Sequence, residues 1–421
     1  MYVPVWLLVL GVLVMAALVL VVWSVKRRRR PHLKLGDIDD LADLMRSVAG
    51  VTQGMLVESN RVEIVQNGAF FDALYRDLEK AKATIHLEAF LAKEGEVTRR
   101  IAAILSERAN AGVQVKVMLD GSGGKNFGKK PLQQMRDAGV EVLMYHQITL
   151  RNLGIINNRT HRKIVVIDGR IAYLGGHCLV DSWLGDAQDK KHFRDLSARV
   201  QGPLVAQVQS AFSDNWIEEC GEVITGDDAF PPLEPMGETC GHIVFVSPTG
   251  SPSTLKLLHV LAIKAARKRI TIQNPYFLPD PDARDMLVEA AKRGVHVRVM
   301  IPDTTASDSP LVQHASHHHY GTLLKGGVKL YDYKRTLLHQ KVFAIDGAWS
   351  SIGSTNFDDR SFEINDEVSL VTYDERIAAE LEQIFESDLQ YAVERTLEEW
   401  RRRPLLHKLK DGAAFLFNEQ L

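Results

Sequence analysis

An unbroken apolar run marks the N-terminus of the chain. Every residue from Val5 to Trp23 is apolar, and five basic residues, Lys26 to Arg30, follow it. At about 1.5 Å of rise per residue, a helix of this length can cross a bilayer. No charge precedes the run and no small-residue cleavage site follows it, so we predict a retained transmembrane helix rather than a cleaved signal peptide. The basic cluster favours a cytoplasmic position for the residues that follow, and it could bind anionic headgroups.

Two long segments further along the chain share one order of helical and strand-like periods. In each, a helix and an alternating strand are followed by a second helix and a valine-rich strand. The repetition predicts an α/β fold of two pseudo-symmetric halves, each a mostly parallel β-sheet flanked by helices. The predicted helices cover 70–83, 101–109, 255–267 and 283–292, and the predicted strands cover 84–90, 113–120, 270–273 and 295–303.

Shifts in composition divide the chain around these halves. Residues 1–30 are predicted to form the anchor with its basic flank, and residues 31–59 a juxtamembrane connector that could include a short helix. The first half covers 60–220 and the second covers 254–395. A proline-rich linker, 221–253, joins them and contains the apolar run 243–246 as the first strand of the second half. Residues 396–421 mix basic and apolar side chains, which suits either an interfacial segment on anionic lipid or a last helix packed on the domain.

The composition of the 421 residues is that of a globular protein, with 45% hydrophobic and 25% charged residues. The formal net charge of −2 lacks the basic balance of a dedicated nucleic-acid-binding domain, so we expect no nucleic-acid partner. The three cysteines cannot all pair, and their spacing matches no zinc or redox pattern, which favours a reducing compartment.

One group of histidines invites interpretation as a metal site. His317, His318 and His319 are consecutive, and His314 lies three residues before them. Consecutive histidines cannot all face one ion, so we predict a solvated loop or the start of a helix here, and no metal.

A short motif of histidine, lysine and aspartate occurs once in each half. His161, Lys163 and Asp168 have the spacing H-x-K-x4-D, and the motif recurs at His339, Lys341 and Asp346. A histidine and a lysine two positions apart at the start of a strand project from the same face. Two such halves facing each other would place two imidazoles and two ammonium groups in one site. This set suits a phosphodiester, because one imidazole can attack phosphorus, the other can protonate the leaving alkoxide, and the lysines can hold the non-bridging oxygens.

Small residues follow each motif at the same offset. Gly175 and Gly176 begin fourteen residues after the first histidine, and a glycine with Ser354 occupies the equivalent place in the second half. We expect these positions to let the backbone approach a phosphate. Asp168 and Asp346 each precede a glycine, as turn residues do, and are predicted to support the architecture rather than to carry protons.

Two carboxylates are candidates for orienting the imidazoles. Asp195 and Glu367 each begin a strand about thirty residues after the histidine of their own half. A carboxylate bonded to the far ring nitrogen would fix the tautomer and the orientation of the imidazole. We therefore expect Asp195 and Glu367 to lie within hydrogen-bond reach of His161 and His339.

Several further short motifs in the second half resemble those of one known family. With the paired motifs, they make the chain, from about residue 60 to its end, similar to the phospholipase D superfamily and, within it, to bacterial cardiolipin synthases. The resemblance implies a phosphatidyltransferase with a covalent phosphohistidine intermediate and no metal or other cofactor. It implies phosphatidylglycerol and other anionic phospholipids as partners: a phosphatidyl group passes from one phosphatidylglycerol to a hydroxyl of another, and glycerol is released. The short motifs are 275–279, 307–309, 338–341, 353–356, 359–362 and 365–367.

The resemblance also carries over roles, residue by residue. His161 would be the nucleophile and His339 the acid, although the pseudosymmetry leaves the reverse order open. Asn356 would line the phosphate, and Glu88 could either contact a headgroup hydroxyl or be an acid at the edge of the core. The first half departs from the family pattern, because Cys178 stands where asparagine is usual and a thiol is a poor substitute for an amide donor.

Other functions remain open at this point. A phospholipase D that releases phosphatidic acid would share the intermediate and would differ in using water as the acceptor. A catalytically impaired lipid-binding protein is favoured only by Cys178, for which His177 or the asparagine of the second half could compensate. We expect a bacterial inner-membrane protein that crosses the membrane once, with its catalytic part in the cytoplasm; its oligomeric state is left open.

Overall fold

The computed structural model describes residues 4–26, 33, 35–36, 38, 40–147, 157–247 and 253–415, without the side chains of residues 18–26. The chain divides into two compact units between Leu35 and Gly36. Helix α1, Val5–Lys26, lies in the first unit. Within the described residues, no helix is long and apolar enough to cross a membrane. The basic residues 27–30 and the chain end at 416–421 lie outside the described residues.

The second unit contains both of the repeated halves. Helix α2 precedes them, and each half then follows one order of elements. The first half contains β1 (Val57–Gln66), α3 (Ala69–Leu78), β2 (Thr84–Ala89), α4 (Glu96–Asn110), β3 (Gln114–Asp120), α5 (Lys129–Asp137), β4 (Glu141–Tyr145), β5 (Ile164–Ile167), β6 (Ile171–Gly175), β7 (Leu196–Gln201) and α6 (Val205–Cys220), with α2 at Leu41–Thr52.

The second half repeats this order and extends it at its C-terminal end. It contains β8 (Thr239–Val246), α7 (Thr254–Ala265), β9 (Arg269–Gln273), α8 (Pro281–Lys292), β10 (His296–Pro302), α9 (Pro310–Lys325), β11 (Lys329–Tyr333), β12 (Val342–Ile345), β13 (Trp349–Gly353), α10 (Asp359–Glu363), β14 (Glu367–Thr372), α11 (Glu375–Leu389), β15 (Ala392–Arg395), α12 (Leu397–Arg402) and α13 (Leu405–Phe415).

All these strands form one sheet, which is mixed rather than mostly parallel. The order is β15-β11-β10-β9-β12-β13-β14-β8-β1-β7-β6-β5-β2-β3-β4. Only the strands joined through helices, β2-β3-β4 and β9-β10-β11, pair in parallel, and the other ladders between the described strands are antiparallel. The prediction of mostly parallel sheets was wrong because β5 and β6 are joined by a turn of three residues, and so short a connection forces antiparallel pairing.

The two halves meet where β1 pairs with β8. Val57 pairs with Gly241 and Asn60 with Thr239, and the strand order on either side of this pair is nearly a mirror of the other side. One apolar core crosses the boundary, because buried side chains of β1 and β6 cluster with those of β12 and β14. These include Val62, Leu174, Val342 and Leu370. The halves therefore form one folding unit.

The segments at the ends of the second unit pack on this core. Helix α2, in the region expected to be a connector, buries Leu44 and Val48 and packs on α7. Helix α13 packs on α9 with Asp411 and Ala414 buried. The histidines at 314 and 317–319 lie within α9, so the expectation of a solvated loop or a helix start was wrong.

Candidate active site

The two histidine–lysine pairs lie at equivalent strand starts. His161 and Lys163 come directly before β5, and His339 and Lys341 come directly before β12. All four side chains are buried. The histidines and lysines also influence one another across the halves, because the positive charges of Lys163, Lys341 and His339 all help to lower the pKa of His161. The two motifs therefore contribute to one site.

Short main-chain bridges bring a segment of the opposite half to each histidine. The amide of His161 donates to the carbonyl oxygen of Asp366 at 2.8 Å, and the amide of Asp366 donates to the carbonyl oxygen of Arg159 at 3.0 Å. Because Glu367 is the next residue along that segment, the bridge delivers its carboxylate to the first histidine. His161 Nδ1 lies 2.9 Å from Glu367 Oε1.

The equivalent bridge in the other direction completes the pattern. The amide of His339 donates to the carbonyl oxygen of Arg194 at 2.7 Å, and the amide of Arg194 donates to the carbonyl oxygen of Leu337 at 2.9 Å. Asp195 follows, and its Oδ2 lies 2.7 Å from His339 Nδ1. Each imidazole is thus held by the carboxylate of the other half. Both carboxylates lie within hydrogen-bond reach of the histidines, as expected, and each reaches the histidine of the opposite half, a pairing that the sequence analysis left open.

Burial and charge keep His161 in its neutral form. Burial lowers the pKa of His161 well below its usual value, and Lys163 and Lys341 lower it further. Burial also raises the pKa of Glu367 to about 7, although Lys163 and the hydroxyl of Ser354, which donates to Oε2, oppose that shift. The bond to Nδ1 leaves Nε2 of His161 available for substrate. The ring lies edge-on to Phe90, with centroids 5.1 Å apart.

The carboxylate beside His339, that of Asp195, holds its negative charge more strongly than the carboxylate of Glu367 beside His161. Burial alone would raise the pKa of Asp195, but the charge and the hydrogen bond of His339 outweigh burial and hold that pKa below its usual value. Trp183 Nε1 donates to Oδ2 at 2.7 Å and the Leu196 amide donates to Oδ1 at 2.8 Å, so the carboxylate keeps its charge and its position. Burial and Lys341 lower the pKa of His339, and Asp195 opposes that shift.

The lysines are fixed by the backbone of their own motifs. Lys163 Nζ donates to the carbonyl oxygen of His161 at 2.7 Å, and Lys341 Nζ donates to that of His339 at 2.7 Å. Lys341 Nζ also lies 3.0 Å from His339 Nε2. Burial lowers the pKa of Lys341 to about 8. A phosphate anion in the site would favour the charged form of this lysine.

The glycines that follow each motif allow close packing against the strands that begin next to Asp195 and at Glu367. A Cβ at Gly176 would overlap the carboxylate of Asp195, and a Cβ at Gly175 would overlap Ser197 of β7. In the second half, a Cβ at Gly353 would overlap Val368 and Ser369 of β14. The structure therefore explains these glycines by close approach of protein to protein, where the sequence suggested approach to a phosphate.

Asn356 and Cys178 occupy equivalent positions in the two halves but offer different chemical groups, an amide and a thiol. Asn356 is buried, and among the described residues its Oδ1 has no hydrogen-bond partner, which leaves the amide free to meet a ligand. Burial raises the pKa of Cys178 to about 11, so this thiol is neutral. His177 does not replace the missing amide, because its Nδ1 lies 2.8 Å from Ser197 Oγ and its Nε2 lies 2.9 Å from the Asn67 carbonyl oxygen.

Glu88 lies in the core beneath the first motif. It is 1% exposed, and its Oε1 accepts hydrogen bonds from the hydroxyl of Thr160 and from Asn215 Nδ2. Burial raises the pKa of Glu88 to about 7. Its contacts favour a role in positioning Thr160, the residue before His161, over direct contact with a headgroup.

An ion pair that the sequence analysis missed supports the second motif. Arg194 Nε donates to Asp388 Oδ1 at 2.9 Å, and both side chains are 5% exposed. Gln273 Nε2 and Gln340 Nε2 donate to Asp388 Oδ2 at 2.9 and 3.1 Å. The pair fixes the residue next to Asp195. The one sign of this pair in the sequence is that Arg194 precedes Asp195 as Asp366 precedes Glu367.

The aspartates of the two motifs lie at the far ends of the strands from the histidines. Asp168 Oδ1 accepts hydrogen bonds from the amides of Lys82, Ala83 and Thr84 at 2.7–3.0 Å. Asp346 accepts equivalent bonds from the amides at 267–269. Both aspartates have a left-handed backbone, with φ of 52° and 55°. They tie the turn after the motif strand to the neighbouring strand.

Comparisons with known proteins agree with this geometry. Residues 74–216 and 260–389 match the family described as cardiolipin synthase, PLD-like domain. The major cardiolipin synthase ClsA of Bacillus subtilis (strain 168) is 32% identical over 383 residues, which are 90% of this chain and 79% of that protein. A cardiolipin synthase of Staphylococcus aureus (strain Mu50) is 35% identical over 368 residues, which are 86% of this chain and 74% of that protein.

A solved structure extends the comparison to the fold. The crystal structure of phosphatidylserine synthase from Haemophilus influenzae Rd KW20 covers 90% of this chain and 100% of its own, with a TM-score of 0.71 and 14% identity. At that identity the likeness shows a shared fold. Fold and family match together define a phospholipase D-like protein. Within that class, the chain belongs to the cardiolipin synthase family.

Replacing Asp168 should change stability and leave the chemistry intact. We expect Asp168→Ala to lower the free energy of unfolding by about 1–3 kcal/mol, because three amides lose their acceptor. Asp168→Asn should cost less, since asparagine keeps one acceptor oxygen and tolerates a left-handed backbone. Denaturant unfolding measures both values. A large loss of turnover by folded Asp168→Asn protein would show that this aspartate takes part in the reaction.

Proposed function

We propose that the protein is a membrane-bound phosphatidyltransferase that makes cardiolipin and glycerol from two phosphatidylglycerol molecules through a phosphohistidine intermediate. One observation carries the proposal: an imidazole and a lysine from each half share one buried site, and each imidazole is held by a carboxylate of the other half. The names of the relatives support the same reaction, since those most similar to this chain include cardiolipin synthases of two bacteria.

In the first step, Nε2 of His161 attacks the phosphorus of one phosphatidylglycerol. The bond from phosphorus to the headgroup glycerol breaks as the new phosphorus–nitrogen bond forms. His339 gives its Nε2 proton to the leaving oxygen, and free glycerol departs. Lys163 and Lys341 hold the non-bridging oxygens, where fixed cations in a buried site stabilise the charge of the transition state.

In the second step, a hydroxyl of another phosphatidylglycerol takes the place of glycerol. His339, now neutral, accepts the proton of that hydroxyl as its oxygen attacks phosphorus. The phosphorus–nitrogen bond breaks, which releases cardiolipin and restores neutral His161 and protonated His339. Water in place of the lipid hydroxyl would give phosphatidic acid by the same path.

The electrostatics support His161 as the nucleophile. Burial and the lysines lower the pKa of His161 well below its usual value, so it is neutral and its Nε2 lone pair is available. His339 is bonded to Asp195, whose pKa is held low, and a charged carboxylate favours the protonated imidazole that an acid requires. Burial and Lys341 lower the pKa of His339 in the free site; binding of an anionic phosphodiester would raise it and so favour the protonated form that an acid requires.

We also propose that the apolar run at the N-terminus anchors the enzyme in the inner membrane, with the catalytic unit in the cytoplasm. From Val5 to Met15, the large apolar side chains of α1 are 43–74% exposed, which suits contact with lipid. The C-terminal helix adds an interfacial contact, because Leu405, Leu406 and Leu409 are exposed beside basic residues such as Lys408.

The reaction is tested by identifying the lipid products. We expect the purified full-length protein in phosphatidylglycerol bilayers to release glycerol and cardiolipin in equal amounts, and excess glycerol to reverse the reaction. His161→Ala should lower turnover by at least about 10³-fold. Phosphatidic acid as the main product would instead identify a phospholipase. Absence of turnover in wild-type protein would favour an impaired lipid-binding protein, and Cys178→Asn would then be the variant to assay.

The order of the two histidines is tested with a leaving group that needs no proton. We expect His339→Ala to lose about 10²–10⁴-fold on phosphatidylglycerol, the usual contribution of a general acid. On a phosphatidyl ester of p-nitrophenol, the same variant should release up to one equivalent of p-nitrophenol, and mass spectrometry should find the phosphatidyl group on His161. The matched variant His161→Ala should give no burst. A label on His339 in that variant would reverse the assignment.

The anchor is tested by removing residues 1–30. We expect the shortened protein to appear in the alkaline-wash supernatant of bacterial membranes, whereas the full-length protein stays in the pellet. Conversion of Leu405, Leu406 and Leu409 to serine in the shortened protein should then weaken its binding to phosphatidylglycerol vesicles. Retention of the shortened protein in the pellet would show that the apolar run is not the anchor.

A further inference from the structure

A second cluster of ionisable side chains lies between α9 and α13, outside the catalytic site. His314 and His317 are three residues apart in α9 and therefore project from one face of the helix. Asp411 of α13 faces them: its Oδ1 lies 2.9 Å from His314 Nδ1 and 3.3 Å from His317 Nδ1. Two imidazole nitrogens thus converge on one carboxylate oxygen.

The spacing of these atoms fits a small divalent ion. The three atoms lie within 4.8 Å of one another. In a tetrahedral zinc site with bonds of about 2.0–2.2 Å, neighbouring ligand atoms are about 3.3–3.6 Å apart. The His–Asp distances are already close to that value, so small changes of side-chain torsion would bring all three atoms around one centre. Neutral imidazole and carboxylate are ligands that zinc and similar transition metals accept.

The surroundings hold the ligand atoms in place. The side chains of His317 and Asp411 are 7% and 2% exposed, and that of His314 is 20% exposed, which leaves an entry path. Arg403 Nε donates to Asp411 Oδ2 at 3.2 Å and leaves Oδ1 to the imidazoles. A hydrogen bond to the second oxygen of a ligating carboxylate is a common outer-shell contact, because it fixes the ligand's orientation.

A fourth ligand is available on the same helix face. His407 lies four residues before Asp411 in α13, and its ring centroid is 5.9 Å from that of His314. Its side chain is exposed, and a change of rotamer would be needed to bring a ring nitrogen to the other three atoms. Each helix therefore contributes two ligand-type residues at helical spacing, H-x2-H on α9 and H-x3-D on α13. The sequence analysis rejected a metal because it considered the consecutive histidines and could not include α13.

We propose that His314, His317 and Asp411 bind a zinc-class divalent ion, with His407 as the fourth ligand. The ion ties the C-terminal helix α13 to α9 and so fixes the face of α13 that carries Leu405, Leu406 and Leu409. It takes no part in the transfer of the phosphatidyl group. The same three side chains without an ion would form only a histidine–aspartate–arginine cluster, and this is the alternative that the test must separate.

The test measures zinc binding by the full-length protein in detergent micelles. After dialysis against micromolar zinc and then against metal-free buffer, we expect one zinc per chain by elemental analysis. Zinc should also raise the unfolding temperature, and a chelator should reverse that rise. His314→Gln, which keeps a hydrogen-bonding group beside Asp411, should weaken zinc binding by at least about 10-fold. Asp411→Asn should weaken it as well.

His296→Ala is the matched control, because this exposed histidine lies on β10 away from the cluster. It should retain the zinc and the change in unfolding temperature. The proposal is overturned if the wild-type protein retains no zinc, or if His314→Gln and Asp411→Asn retain as much as His296→Ala. Cobalt in place of zinc gives an independent readout: the visible absorption expected of four-coordinate nitrogen and oxygen ligation should weaken in His407→Ala.

Discussion

The site depends on two main-chain bridges that cross between the halves. The backbone of His161 pairs with that of Asp366, and the backbone of His339 pairs with that of Arg194. Each bridge sets the register at which a carboxylate arrives at an imidazole nitrogen. Neither half contains a complete histidine–carboxylate pair, so the candidate site is complete only when both halves are folded and joined along β1 and β8.

This arrangement places many ionisable groups in buried positions. Two lysines, two histidines and two carboxylates are buried together, and burying an unpaired charge is costly. The crossed pairs and the lysine-to-carbonyl bonds offset part of that cost, and the rest is visible in the lowered pKa values of His161 and Lys341. A phosphodiester anion bound between the two motifs would supply negative charge beside the lysines and histidines. Without such an anion, the positive charges of the site are therefore only partly balanced, and an anionic substrate would complete the balance.

The sequence allowed much of this to be predicted, and the failures have physical causes. The repeated His–Lys–Asp spacing, the paired halves and the two orienting carboxylates could all be found from periodicity. The partners of Asp195 and Glu367 could not, because an internal repeat is equally consistent with pairing within a half and pairing between halves. The parallel sheet was overestimated because the pairing of the helix-linked strands was extended to the strands after each motif, whereas β5, β6 and β7 are joined without long helices. The contact of the α9 histidines with Asp411 could not be predicted, because Asp411 lies almost a hundred residues away.

Small departures from symmetry give the two motifs different electrostatic surroundings. Asp195 accepts hydrogen bonds from an imidazole, an indole and a backbone amide, so its negative charge is well supported. Glu367 accepts from an imidazole and from the hydroxyls of Ser354 and Ser361, and burial nevertheless raises its pKa to about 7. A fixed anion favours an imidazole that holds a proton, and a weaker anion favours one that releases it. In the proposed mechanism, the donors around each carboxylate, rather than the motifs themselves, would distinguish the acid from the nucleophile.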